Sequence, residues 1–218
     1  MDYFSAVEIT LLSHSKSKKL LAMLSEQTFL SAAVALETLL SDLFIAYINR
    51  KPSTYTDWLK DQISKNLTSN YSNAITRHLN IKFPKHIVVD DIEKMVNPKR
   101  SNVSLPNSKE MIKRANKWLD RSFAIKFSKL TIEDQKLLDS VKSIRNFLAH
   151  RSESSLDGMN KQLGNIETTL PANAGLGKGT ANEIRSAGKY LRTKTSSGKR
   201  RVEIYLERLR QISDKLRP

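Results

Sequence analysis

The segment from about Glu26 to Asn49 constrains this chain more than any other. It is rich in residues of high helix propensity, and from Phe29 to Ile48 it is apolar on nearly every side. That is close to the length a bilayer requires, yet Glu37 and Asp42 interrupt it and no anchoring flanks accompany it. A helix apolar all round and carrying acids fits a protein interior better, one side serving a core and another a subunit contact. One row of it reads Leu30, Val34, Glu37, Ser41, Phe44, Ile48, so Glu37 stands within an apolar stripe. A carboxylate there is costly unless paired. The other reading puts Glu37 at a stripe edge, reaching solvent.

A second strong helix is announced by Thr131-Ile132-Glu133-Asp134, a hydroxyl N-cap with an acid three residues on that can bond back to the cap. Its stripe of Leu137, Val141, Ile144 and Leu148 recurs at core-facing spacing. It runs into Ser143-Ile144-Arg145-Asn146-Phe147-Leu148-Ala149-His150-Arg151-Ser152, an unusual polar set at a helix end. Asn146 and His150 are four apart and share a face. Arg145 and His150, five apart, point about 140° away from each other on a regular helix. A joint site therefore needs a loosened last turn or a second copy of the helix across a dimer axis. Cations at a helix C-terminus are also what the helix dipole favours, which is the plain explanation of the cluster. An arginine fork suits a carboxylate, making Arg145 the candidate partner of Glu37.

The remaining segments read as helices and loops. Residues 2 to 24 suggest a first helix broken near Ser13-His14-Ser15. From Lys51 to Lys129 prolines punctuate the pattern, with short helices at Trp58–Lys65 and Ser72–Leu79 and another opened by Asp90-Asp91-Ile92-Glu93. Val96–Ser108 is polar and loop-like, and Ser108 would cap a helix over Lys109–Arg121. Beyond His150 come a short helix from Leu156 to about Leu170, a Gly-rich loop over Pro171–Thr180, and a basic stretch from Arg185 to Arg201. An amphipathic helix, Val202–Leu216, closes the chain and leaves the basic run as an exposed strap beside it. Gly175-Leu176-Gly177-Lys178-Gly179-Thr180 lacks the Gly-Lys-Ser/Thr ending of a phosphate loop. Strand signals are confined to Ile87-Val88-Val89 and Phe123–Phe127. The class is all-α: a single domain over residues 1–218, with four main helices, short helices in an insertion around 51–130, and a basic loop around 171–201.

Charge narrows the partners. A formal net charge of +15 and a pI near 10.0 point to a polyanion, nucleic acid ahead of a membrane surface. Lys109, Lys113, Arg114, Lys117 and Arg121 crowd one helix against Glu110 and Asp120, either as a solvated face or as an RNA track. Lys199, Arg200 and Arg201 end the most basic stretch. With no cysteine, disulfides and thiolate chemistry are excluded. No cationic leader precedes an apolar run, and Asp2 and Glu8 sit where a signal peptide avoids acids, so a cytoplasmic, membrane-free chain is expected. His78 and His86 are separated by Pro84 and no His-Glu-x-x-His occurs, so neither a metal nor a cofactor is expected. No Gly-x-Ser-x-Gly elbow supports serine hydrolase chemistry.

The hexad Arg145-Asn146-Phe147-Leu148-Ala149-His150 resembles the signature of the HEPN superfamily, an Arg and a His separated by four to six residues with a polar residue after the Arg. The acid-bearing helix over residues 26–50 resembles that family's apolar second helix, and the RiboL-PSP-HEPN-like branch is the part of the superfamily suggested. The resemblance covers those two helices well and the rest poorly. It implies a HEPN-like helical bundle pairing as a symmetric homodimer. It further implies a metal-independent endoribonuclease whose site combines the Arg and His of both protomers, leaving 2′,3′-cyclic phosphate and 5′-hydroxyl ends. A role as a toxin or antiphage defence effector is implied as well, with an inhibitory antitoxin or defence-system protein as a further partner.

On this reading Arg145 and His150 are catalytic, Asn146 assists, and Glu37 orients Arg145. Histidine can serve as base for the ribose 2′-hydroxyl or as acid for the leaving 5′-oxygen. Arginine stays charged and holds phosphate oxygens as negative charge builds. Lys142 and Arg151 beside the hexad, with Lys113, Lys117, Lys199, Arg200 and Arg201, are the candidate RNA contacts. Two alternatives stay open: a non-catalytic HEPN-like module binding RNA or protein, and a basic nucleic-acid-binding subunit whose hexad is only a helix end.

Overall fold

A computed structural model describes residues 17–70, 81–84, 87–96, 103, 105–166, 175–179 and 181–217. Among the described residues there are nine helices and no strand: α1 Ser17–Arg50, α2 Ser53–Asn70, α3 Val89–Val96, α4 Ser108–Trp118, α5 Arg121–Ser128, α6 Ile132–His150, α7 Glu153–Gly164, α8 Ala187–Arg192 and α9 Arg201–Leu216. The class is all-α. The chain forms two compact units. One takes in the chain up to Leu36 together with Leu130–Lys215; the other takes in Glu37–Lys129 and the chain from Leu216 onward, including the region around 51–130 read as an insertion.

Helix α1 begins well before Glu26. Ser25 is fully buried in its middle, and the hydroxyl donates to the Leu21 carbonyl at 2.9 Å. A serine satisfied one turn back in this way does not break a helix, so Leu20, Leu21 and Leu24 join α1 instead of ending a separate element. The expected break near Ser13-His14-Ser15 lies outside the described residues. Buried positions recur every three or four residues: Leu21, Ser25, Phe29, Ala33 and Leu36 in the first unit, then Leu40, Leu43, Phe44, Tyr47 and Ile48 in the second. By length and composition Lys18–Arg50 could cross a membrane, but that spacing is a core stripe. Up to Leu36 the stripe runs one position away from the row through Leu30, Val34 and Glu37; beyond it the later members of that row, Ser41, Phe44 and Ile48, are buried as well. Val34 is exposed and Glu37 half-buried.

The second unit is built on aromatic rings. Tyr47 stacks on Phe123 with centroids 4.3 Å apart, while Phe44 meets Phe127 at 5.1 Å and Trp118 edge-on at 6.2 Å. Tyr55 and Trp58 close on Trp118 at 5.5 and 5.3 Å. Each buried ring removes a large apolar surface from water, worth about 1.5–3 kcal/mol. Ser41, also buried, accepts the Val103 backbone N–H at 3.0 Å. The helix expected over Lys109–Arg121 is two helices. Its cap is Asn107, which accepts from the Glu110 N–H, and Ser108 is buried in the first turn. Leu119 turns extended, and Asp120 then caps α5 by accepting from the Ser122 N–H. Phe123–Phe127 is therefore helical, while Ile87 and Val88 are irregular chain leading into α3, which Val89 opens, so neither strand signal makes a strand. Helix α2 extends well beyond Trp58–Lys65 on both sides. The helix expected at Ser72–Leu79 lies outside the described residues.

The first unit packs α6, α7, α8 and α9 with the opening half of α1. Phe29 meets Tyr205 edge-on at 5.2 Å. Val202, Tyr205, Leu209 and Ile212 give α9 its buried stripe, matching the amphipathic pattern. Ser152 caps α7, which starts earlier than Leu156 as a result. The basic stretch keeps Arg185, Lys189, Lys194 and Lys199 exposed but is more than a strap. Ala187, Tyr190 and Leu191 are buried and make α8, after which the Thr195 N–H bonds the Lys199 carbonyl at 2.8 Å around a turn with Gly198 at φ 80°. The density of cations hid an apolar spacing that was present in the same residues.

Candidate functional site

The site candidates sit on α6, and its anchoring begins at the other end of that helix. Thr131 and Asp134 form the expected capping box. Asp134 does more than cap: it is fully buried, taking Arg208 Nη2 at 2.7 Å on one oxygen and Lys215 Nζ at 2.6 Å on the other. Both cations come from α9. Further along, Ser140 Oγ donates to the Leu137 carbonyl at 2.7 Å and lies 3.4 Å from Tyr205 Oη, which is 3.1 Å from Tyr190 Oη. Tyr190 in turn donates to the Leu176 carbonyl. This buried chain of hydroxyls ties α6, α9, α8 and the 175–179 segment together. Burial pushes both phenols above their ordinary range, Tyr190 furthest, with Tyr205 beside it adding to the effect.

The expected stripe of α6 is buried: Leu137, Val141, Ile144 and Leu148 all face the interior. The helix is regular to its last residue, His150. No loosened turn brings Arg145 round to His150, so within one chain the two side chains diverge by about 140°. Asn146 and His150 do share a face. Asn146 and Arg145 are partly exposed, with Arg145 Nη1 3.4 Å from Asn146 Oδ1, and His150 is exposed at the tip. Lys142 stands one turn before Asn146 and is also partly exposed. Glu37 belongs to the second unit and Arg145 to the first.

The helix closes on Arg151, which adopts φ 52° and ψ 22°, and its N–H bonds the Phe147 carbonyl at 2.8 Å. Glycine is the usual occupant of such a left-handed cap. Arg151 is held there by Glu26, at 2.6 Å from Nη2, and its guanidinium lies 5.4 Å from the Phe147 ring centre.

The remaining expected RNA contacts are largely engaged within the chain. Lys199 pairs with Glu207 at 2.6 Å, and Arg200 with Glu203 at 3.1 Å. Arg201 donates to the Gly175 carbonyl at 2.6 Å and stacks over Tyr190 at 4.7 Å. These three residues pin α9 and its preceding turn, a structural task that charge alone did not foretell. Lys113 and Lys117 are exposed on α4 in the second unit, Lys113 lying 3.3 Å from Glu110. Lys178 in the glycine-rich segment uses its backbone N–H on the Leu163 carbonyl at 3.2 Å. Among the described residues no group of three or more His, Cys, Asp or Glu is gathered to hold a metal ion; His78 and His86 lie outside them.

Sequence reasoning did not find Glu26, Gly188, or the Asp134, Arg208 and Lys215 cluster. The capping signature at Asp134 was visible, but nothing in local spacing ties Glu26 to Arg151, 125 residues away. No protein-family model, no curated protein and no solved structure matches this chain.

Proposed function

We propose that this protein is a metal-independent endoribonuclease whose site combines Arg145 and His150 from two copies of the chain, with Asn146 in support. The observation that carries this reading is the end of α6, a regular helix presenting Asn146 and the exposed His150 on one face with Arg145 beside Asn146. Because Arg145 and His150 diverge on one helix, a twofold axis is the economical way to oppose them. His150 would move the proton between the 2′-hydroxyl and the leaving oxygen, and Arg145 would hold the phosphate as its charge grows. The net charge of +15 supports a polyanionic substrate. A toxin or antiphage role, restrained by an inhibitory partner protein, is consistent with the resemblance of the hexad.

The test is incubation with RNA in EDTA beside His150→Ala and Arg145→Ala. Cleavage abolished in both variants with RNA binding retained is the expected result, and equal activity in all three proteins would sink the site. Mixing the two inactive variants should restore part of the activity if each protomer lends one residue. The second reading is a non-catalytic binding module, favoured by the internal pairing of Arg151, Lys199 and Arg200 with acids. It predicts RNA or protein binding with no cleavage.

A further inference from the structure

We propose that Glu26 is the positioning residue for His150, clamping the left-handed turn that follows it to the backbone of α8. Its consequence for catalysis rests on the ribonuclease reading; the clamp itself does not.

Three observations converge on this carboxylate. Arg151 is the one described residue other than glycine with positive φ, a conformation that a Cβ disfavours. A glycine would cap the helix with less strain, so the arginine at this position adds something a cap does not need. What it adds is a handle: Arg151 Nη2 reaches Glu26 Oε2 at 2.6 Å. The second oxygen of the same carboxylate accepts the Gly188 N–H at 2.9 Å. The Glu26 side chain is only 18% exposed, against 51% for Arg151, so the pair is sheltered on its acidic side. Gly188 is part of the device. A Cβ there would stand 2.8 Å from both Glu26 Oε1 and the Ala22 carbonyl, so only glycine lets α8 approach α1 closely enough to donate.

His150 lies one peptide bond before Arg151. The turn that Glu26 holds therefore decides where the imidazole begins its reach. A displacement of about 1 Å at a reacting group can cost about 100-fold in rate. The opposing use of the same contact is that Glu26 merely masks Arg151, a direct phosphate ligand. The two differ in their kinetics: a positioning residue acts on kcat, a mask acts on KM.

The experiment uses the full chain with Glu26→Gln, Glu26→Ala and Arg151→Gly, the last keeping the left-handed turn without the handle. In Glu26→Ala the Gly188 amide should lose hydrogen-exchange protection, and the His150 backbone should gain mobility in NMR relaxation, read in the absence of RNA. Unchanged protection and unchanged mobility overturn the clamp. In RNA cleavage, Glu26→Gln should lower kcat about tenfold with KM within about twofold, and the double variant with Arg151→Gly should be no worse than either single one. Tighter KM at unaltered kcat overturns positioning in favour of a mask. If the wild-type protein cleaves no RNA while His150 still loosens in Glu26→Ala, the ribonuclease reading fails and the clamp stands.

Discussion

Replacing Asp134 by Ala should destabilise the first unit by about 4 kcal/mol, because it strands a buried cation and opens a helix cap together. The Asp134 side chain has no exposure and faces two cations, so the cost depends on what each does when the carboxylate leaves. Lys215 is 45% exposed; it regains water and contributes under about 1 kcal/mol. Arg208 is 13% exposed and stays largely in the interior, carrying most of the usual 3–5 kcal/mol for a broken buried pair, of which we take about 3. The Thr131 N–H, bonded to Asp134 Oδ2 at 3.3 Å, loses its partner and adds about 1 kcal/mol. Asp134→Asn keeps one acceptor oxygen, enough for either Arg208 or the Thr131 N–H but not both, and turns an NH2 donor toward the other, so at least half the loss is expected. Urea unfolding followed by circular dichroism gives the answer as a drop in midpoint at constant slope. A loss below about 1 kcal/mol, or equal effects of Lys215→Met and Arg208→Met, would show that the charges are hydrated and refute this reasoning.

Gly188→Ala should cost about 1–3 kcal/mol through the clash with the Ala22 carbonyl, read by the same unfolding assay; a neutral result contradicts the close approach. Tyr190 and Tyr205 keep protons in the fold that an unfolded chain sheds near its ordinary value of 10.0. Their contribution is intact below that pH and is lost as pH rises through the raised folded values. Urea midpoints should therefore hold steady up to the ordinary value of 10.0 and fall as pH rises above it, less steeply in Tyr205→Phe, and a flat profile would oppose the burial. Asp120 is held down to about 2 by its two bonds from Ser122 and then by Lys51. A depressed acid stabilises above its unfolded value and ceases to do so as pH falls through the folded one, so this contribution fades between about pH 4 and 2. An NMR titration of the Asp120 carboxyl carbon with a midpoint near 4 would contradict the cap geometry.

The sequence made legible the elements whose signals are local. Thr131 with Asp134 announced the start of α6, and Leu137, Val141, Ile144 and Leu148 announced its buried face, because a cap and a 3.6-residue period are properties of one helix. It also placed Asn146 and His150 on one face and set Arg145 aside from them. Tertiary structure decided everything that depends on distant chain. The boundary expected between a helix ending at residue 24 and one starting near Glu26 falls at Ser25, a satisfied interior residue of one continuous helix. Lys199, Arg200 and Arg201 are expected RNA contacts by charge, and folding alone decides which carboxylate or carbonyl each also meets. Glu26, an acid at the edge of an apolar helix, became the joint between Arg151 and Gly188 because packing brought residues 125 and 162 positions away onto its two oxygens. Helical periodicity is written in neighbouring side chains, whereas a hydrogen bond across the fold exists only once burial has removed the competing water.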